Sequence, residues 1–265
     1  MHVLVAVDWH VIWLRIFHPD GVFARALWAT VYISVVAQFA GVVLGLFAAL
    51  ARMSRFMPLR LASGVYVWIF RGTPLLVQIF YVYFAFSWPT LHFGFWTVTD
   101  AAIAGTVALS INEGAYMREI IRAGIDAIDK GQMEAAKSVG MTYGKAMRRI
   151  ILPQAARVIV PPLGNEFNNM MKTTSLVYTI GVYELFADAE QGYSRTFIAD
   201  YFLAAAFWYL VLTTVWTLIQ IRIERRLSVS ERGDELSFQE RLALAWNPMT
   251  AWTRGAWTRG LPPWR

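Results

Sequence analysis

Two carboxylates and one amine stand where an apolar chain tolerates them least. Glu113 closes a long stretch in which Asp100 is the only other charge, and Glu166 and Lys172 interrupt a segment rich in Val, Ile, Leu and Phe. A charge at the middle of a bilayer costs at least about 2.5 to 3.5 kcal/mol, so such groups persist where something meets them. Glu113 or Glu166 would meet a cation such as an ammonium group, and Lys172 an anion such as a carboxylate. Polar neighbours crowd around them: Ser110 and Asn112 beside Glu113, and Asn165, Asn168, Asn169, Thr173, Thr174 and Ser175 around the other two. Together these residues would line a path for a polar solute. The competing assignment is that they pair with one another and hold helices or subunits together.

Other chemistries find little support. The chain has no Cys, so neither a disulfide nor a thiolate centre is available. The four histidines, His2, His10, His18 and His92, have no metal-ligand spacing. Neither a Ser/His/Asp set nor an HExxH pattern is present, so no catalytic residue and no metal are expected. Gly140 to Ala146, GMTYGKA, has too short a spacer before Gly-Lys and no Ser or Thr after it to cradle phosphates. No nucleotide or other cofactor is therefore expected in this chain.

The elements that must position these residues follow from composition. Hydrophobic residues make up 57% of the chain and charged residues 16%, against roughly 25% charged in soluble domains. Ala26 to Leu50 and Tyr201 to Ile221 carry no charge, and each is long enough for a spanning helix of about 20 residues. The net charge of +6 gathers at the ends of the apolar runs: Arg52, Arg55 and Arg60, the region from Arg118 to Arg157, and Arg222, Arg225 and Arg226. Between Ser87 and Thr99 there is no Lys or Arg. This asymmetry places the basic regions in the cytoplasm and the bare turn outside, and argues against a nucleic-acid partner.

Spans are expected near 23–51, 61–86, 98–117 and 197–221, with 154–190 making one net crossing. The last of these carries Pro161-Pro162, Gly164 and the polar run Lys172 to Ser175. It reads as two half-segments around a break that lines a cavity, the alternative being one long tilted helix that projects into the cytoplasm. Arg71, beside Gly72-Thr73-Pro74, is expected to be a structural anchor that takes carbonyls freed by that interruption. Gly41 and Gly45 form a GxxxG that permits close helix contact. The expected organisation is an N-terminal outer-surface segment at 1–22, a transmembrane domain at 23–226 with a hydrophilic loop at about 118–153, and a cytoplasmic tail at 227–265. The tail holds the tandem AWTRG repeat and several Trp, which suit the headgroup layer.

Within the loop, Glu134-Ala135-Ala136, Gly140, Ile150 and Leu152-Pro153 reproduce the pattern EAA(x3)G(x9)IxLP. The pattern resembles the cytoplasmic coupling motif of the membrane-spanning permease subunits of bacterial ABC importers. FRGTPLLVQ (Phe70 to Gln78), GAYMREIIRAGI (Gly114 to Ile125), KGQMEAA (Lys130 to Ala136) and KTTSLVYTIGVYEL (Lys172 to Leu185) are similar to the polar amino acid uptake branch, of the histidine, glutamine and arginine permease kind.

The resemblance implies an all-α, polytopic, MetI-like fold with five transmembrane helices and a cytoplasmic coupling helix, N-terminus outside and C-terminus cytoplasmic, in the bacterial inner membrane. It implies docking on an ATPase through Glu134, Ala135, Ala136, Ser138, Gly140, Ile150, Leu152 and Pro153. ATP and Mg would be bound by two partner ATPase subunits. A second permease copy or a homologous permease, membrane lipid, and a periplasmic or lipid-anchored amino acid binding protein complete the implied partners. Residue types agree with part of this: Glu134, Ala135, Ala136 and Val139 are expected on one side of a short helix that another protein can approach closely, with Gly140 ending it. The rival readings are an ABC permease for another small polar solute and an ion-coupled secondary transporter, which would need internal repeats that the spans do not show.

Overall fold

A computed structural model describes residues 7–94 and 96–227; the tail repeat, its tryptophans and His2 lie outside the described residues. The chain divides into two units at Glu224, and the second is described only as far as Leu227. Among the described residues, the regular elements are helices apart from one small hairpin. A short helix, α1 (Trp9–Phe17), is capped by Asp8, whose carboxylate accepts from the amides of His10 and Val11. The long α2 (Gly21–Met53) starts under Asp20, whose carboxylate accepts from the Phe23 amide at 2.7 Å. That amide, with the Arg15 guanidinium, holds the Asp20 carboxyl below its ordinary range.

The expected second span is two helices, α3 (Met57–Gly72) and α4 (Leu75–Ala85), bent by 107° at Thr73-Pro74. Pro74 supplies no amide and cannot continue α3. The freed carbonyls do not go to Arg71, as the sequence suggests. Gln78 Nε2 donates to the Phe70 carbonyl at 2.9 Å and the Thr73 carbonyl at 3.1 Å, while Arg71 lies over the Tyr116 ring, 5.1 Å from its centroid. An amide reaches these carbonyls from within the next helix, whereas the longer Arg side chain swings outward and stacks.

The turn between α4 and the next helix is an antiparallel pair, β1 (Leu91–Phe93) with β2 (Trp96–Val98), with Gly94 at φ +59°. Helix α5 (Asp100–Asp126) continues well beyond the expected end at 117, through GAYMREIIRAGI, which contains no proline. Then come α6 (Lys130–Ser138), α7 (Tyr143–Ala146), a π-helical turn at Met147–Ile151, and α8 (Leu152–Thr173). Of the expected interruptions, Pro161-Pro162 and Gly164 do not break the helix, and α8 runs through them to Thr173. The helix is held there from outside: Trp216 Nε1 donates to the Gly164 carbonyl at 2.8 Å and Gln220 Nε2 to the Pro161 carbonyl at 3.2 Å. The break falls at the polar run Lys172 to Ser175, where α8 gives way to a 3-10 segment at Thr174–Ile180 that ends on Gly181 at φ +90°. Helices α9 (Leu185–Thr196) and α10 (Asp200–Leu227) follow.

Helices α2 and α10, and α3 with α4 if taken as one bent span, are long and apolar enough to cross a membrane. The core forms where α2, α4, α5, α8 and the 3-10 segment meet, around Ile33, Ile79, Leu109, Met170 and Val177. Helix α5 packs closely on α2 through the GxxxG pair. A Cβ on Gly45 would press on Met117 and come within 2.9 Å of the Arg118 amide nitrogen, and one on Gly41 would reach Glu113 Cγ at 2.5 Å. At the far end of α5, buried Arg118 donates to Ser63 Oγ at 3.2 Å and pairs with Glu119. The Ser63 hydroxyl in turn donates to the Ala48 carbonyl at 2.7 Å, so α2, α3 and α5 are fastened together. Glu184, wholly buried, caps α9 and accepts from the Tyr209 hydroxyl at 2.8 Å and the Thr30 hydroxyl at 3.3 Å, which ties α2, α9 and α10.

Candidate functional site

A cavity of about 330 Å³ lies between α5, α8 and the α3/α4 break. Five of the residues expected on a solute path line it: Asn112 and Glu113 from α5, and Glu166, Asn169 and Thr173 from α8. On α8 the spacing 166, 169, 173 is that of one helix face, which aligns the three side chains along one wall. Asn112 and Glu113, adjacent on α5, supply the opposite wall, and Thr73 and Leu75 close it at the break.

The polar wall is braced from behind. Asn112 Nδ2 donates to the Phe70 carbonyl and to Gln78 Oε1, both at 2.9 Å. The break between α3 and α4 is thereby wired to α5 through two amide side chains. Gln38, from the middle of α2, donates through Nε2 to Glu113 Oε1 at 3.0 Å. One oxygen of Glu113 is thus engaged from α2, which fixes the side chain on the cavity wall. Among the described residues no Lys or Arg lines the cavity; the Arg71 guanidinium stacks on the ring of Tyr116, a lining residue.

Six expected path residues are elsewhere, among them Ser110, whose hydroxyl donates to the Thr106 carbonyl at 2.6 Å, and Asn168, whose Nδ2 lies 3.3 Å from Thr217 Oγ1. Lys172 is exposed and does not line the cavity, since it falls on another face of α8. Asn165 is exposed and its Oδ1 lies 3.5 Å from Gln220 Nε2. Thr174 is buried with its hydroxyl on the Met171 carbonyl, and the Ser175 hydroxyl donates to the Lys172 carbonyl. Both serve the switch from α-helix to 3-10 helix. Four contributors escaped the sequence reading as path residues: Thr73, Tyr116, Gln38 and Gln78. Gln38 had a signal, being a lone amide in the middle of a charge-free apolar run. Thr73 and Gln78 sit within FRGTPLLVQ, but only the fold brings that segment to α5.

The coupling-motif residues form a second surface. Asp129 caps α6 and accepts from the Gly131 amide at 2.6 Å. The helix closes as a Schellman motif: the Met141 amide donates to the Ala136 carbonyl at 3.0 Å and the Gly140 amide to the Lys137 carbonyl at 2.9 Å, with Gly140 at φ +78°. Glu134, Ala135 and Ser138 are exposed, and Val139 is 77% exposed. Ala136 departs from the expected shared face: it is buried, packed inward as the small residue that lets α6 approach its own chain. Gln154 Nε2 donates to the Ile150 carbonyl at 3.0 Å and reaches Gln132 Oε1 at 3.4 Å, so the root of α8 is tied to α6. Ile150 lies in the π turn, Leu152 is exposed, and Pro153 falls in the first turn of α8, where its missing amide costs little.

Comparisons with known proteins point to one family. Residues 41–229 match the family described as binding-protein-dependent transport system inner membrane component. The chain is 40% identical over 224 residues to the L-cystine transport system permease protein TcyB of Bacillus subtilis (strain 168), covering 84% of this chain and 92% of that one. It is 38% identical over 216 residues to the probable glutamine ABC transporter permease protein GlnM of the same organism, covering 81% and 97%. Among solved structures, an amino acid ABC transporter crystallised with histidines superposes with a TM-score of 0.68 at 40% identity, over 77% of this chain and 94% of that one. At 18% identity, the MetNI methionine ABC transporter shares the fold with a TM-score of 0.64. With a match over most of its length, a braced polar cavity between apolar helices and an exposed EAA helix, the chain belongs to the family of inner membrane components of binding-protein-dependent transport systems.

Proposed function

We propose that the chain is the permease subunit of an ATP-driven importer, and that its cavity receives amino acids that present an ammonium group, with cationic ones favoured. The observation that carries this reading is the cavity wall itself: two carboxylates, two side-chain amides and hydroxyls, with no Lys or Arg among the lining residues. Glu113 and Glu166 accept from the α-ammonium and from a cationic side chain, while Asn112, Asn169 and Thr173 orient the rest of the solute. A hydrogen bond to a charged group contributes about 1.5 to 3 kcal/mol, enough to select among solutes of similar size. The names of the relatives, which include cystine and glutamine permeases, support an amino acid cargo.

In this reading two partner ATPase subunits bind ATP and Mg and dock on the exposed side of α6. Their closure biases a pair of permeases toward one access state, and reopening after hydrolysis returns it. An external binding protein delivers the amino acid. The basic loops, including α6, face the cytoplasm, and the β1/β2 turn and the N-terminus face outward, in keeping with the distribution of Arg and Lys.

The test is ATPase stimulation of the reconstituted complex across a panel of amino acids, with the binding protein present. Lysine or arginine is expected to stimulate at least tenfold more strongly than glutamate; strongest stimulation by glutamate or aspartate would refute the proposed cargo. The docking claim is checked separately, because the native chain has no Cys. A single Cys at Ser138 is expected to crosslink to the co-expressed ATPase in high yield, and one at Lys172 is not. A Ser138→Cys chain that never crosslinks while uptake proceeds would remove α6 from the interface.

A further inference from the structure

The family match begins at residue 41 and leaves α1 outside it. This helix is nevertheless fixed in place at both ends. The Asp8 amide donates to Asp200 Oδ2 at 2.6 Å, at the first residue of α10, and Trp208 Nε1 donates to the Arg15 carbonyl at 3.1 Å. The Arg15 guanidinium lies 5.5 Å from the centroid of the Tyr201 ring, 3.2 Å from Asp20 and 3.6 Å from Asp188. Asp8 to Arg15 spans about 10 Å of helix and Asp200 to Trp208 about 12 Å at 1.5 Å per residue. Helix α1 therefore runs beside the first two turns of α10, a helix long and apolar enough to cross a membrane. That depth is where a spanning helix leaves the hydrocarbon for the headgroups.

One side of α1, at Ile12, is buried against the protein. The opposite arc presents Trp9, Trp13, Leu14 and Phe17, which are 73%, 55%, 42% and 59% exposed, with His10 among them. The Asp8 carboxylate caps the helix's own first amides, at His10 and Val11, and Arg15 is paired with Asp20 and Asp188, so neither charge stands free on the arc. Leu203, Phe207 and Leu210 are also exposed on the adjoining turns of α10, at the same height. An uncharged Trp-rich arc at this depth has the composition of the aromatic belts that sit between headgroups and acyl chains.

We propose that the exposed face of α1 is seated in lipid at the membrane interface, with the Trp9 and Trp13 rings among headgroups and upper acyl carbons. The partner is the bilayer itself and not a second protein. Which leaflet is involved does not enter the argument, so this proposal stands apart from the assignment of inside and outside.

The experiment attaches a nitroxide to single cysteines at positions 10, 13 and 17 of the full-length chain in nanodiscs of phosphatidylethanolamine and phosphatidylglycerol. Relaxation by oxygen is compared with relaxation by a water-soluble nickel chelate, with position 137 on α6 as the aqueous reference. Labels at 13 and 17 are expected to favour oxygen several-fold over the reference. His10→Cys, which leaves every aromatic in place, is expected to report a shallower but still oxygen-favoured site. Chelate access at all three positions equal to that at 137 would overturn the proposal. So would exclusion of both relaxants, the signature of a protein docked on the helix.

Discussion

Replacing Glu166 by Gln is expected to reduce the efficiency of amino acid uptake about 10- to 100-fold while the permease still assembles and still crosslinks through position 138. Glu166 is partly exposed on the α8 wall of the cavity, so the isosteric amide costs the fold little. The loss of a charge-assisted bond of about 1.5 to 3 kcal/mol sets the magnitude. The pattern of loss says which end of the solute Glu166 meets. A deficit shared by lysine and by neutral amino acids assigns it to the α-ammonium, and one confined to lysine and arginine assigns it to the side chain. Uptake kinetics unchanged for all of them would take Glu166 off the path.

Gly45→Leu is expected to abolish the folded permease, read as loss of a monodisperse peak in detergent and of any cooperative melting transition. The α2/α5 contact leaves no room: even a methyl group at residue 45 would press on Met117 and on backbone atoms of residues 117 and 118 at 2.9 Å, and backbone cannot rotate away as a flexible side chain can. Overpacking of a core costs about 1 to 3 kcal/mol when side chains can adjust, and here they cannot. Gly64→Ala in α3 is the control, since nothing lies within 4 Å of the added methyl, and it should melt like the parent. Gly41→Ala falls between the two. Its methyl meets Glu113 at Cγ and at Cβ, 2.5 and 2.7 Å away, and Cβ is fixed to the α5 backbone, so transport and stability should both suffer. Gly45→Leu protein that purifies and melts normally would show that α2 and α5 do not need this contact.

Much of the fold was legible in the sequence because lipid imposes long apolar runs, which are a one-dimensional signal. The EAA motif was legible for the same reason: its capping residues are local, and Gly140 and Pro153 perform backbone roles that depend only on their neighbours. What failed was tertiary. A double proline ordinarily breaks a helix, but Trp216 and Gln220 reach across from α10 and hold α8 continuous. Arg71 seemed the natural partner for carbonyls at the α3/α4 break until Gln78 and Asn112 took them. Lys172 shares its stretch with Glu166, Asn169 and Thr173 yet falls on another face of the helix, so proximity in sequence misassigned it. Ala136, read as part of an outward face, packs inward because the fold needs a small residue there.

The helix that begins at Leu152 also carries Glu166, Asn169 and Thr173. In the proposed cycle α8 is therefore a lever, gripped at its root through Gln154 and bearing one wall of the cavity about 21 Å away at 1.5 Å per residue. A swing of about 5° at the root would carry that wall sideways by roughly 2 Å over this length, comparable to the reach of a hydrogen bond. The consecutive prolines lie between handle and wall, where two amide donors are missing and the rod is most compliant. The stroke that arrives at the cavity is thus set partly by how firmly Trp216 and Gln220 splint that joint, which makes α10 a regulator of gearing as well as a membrane anchor.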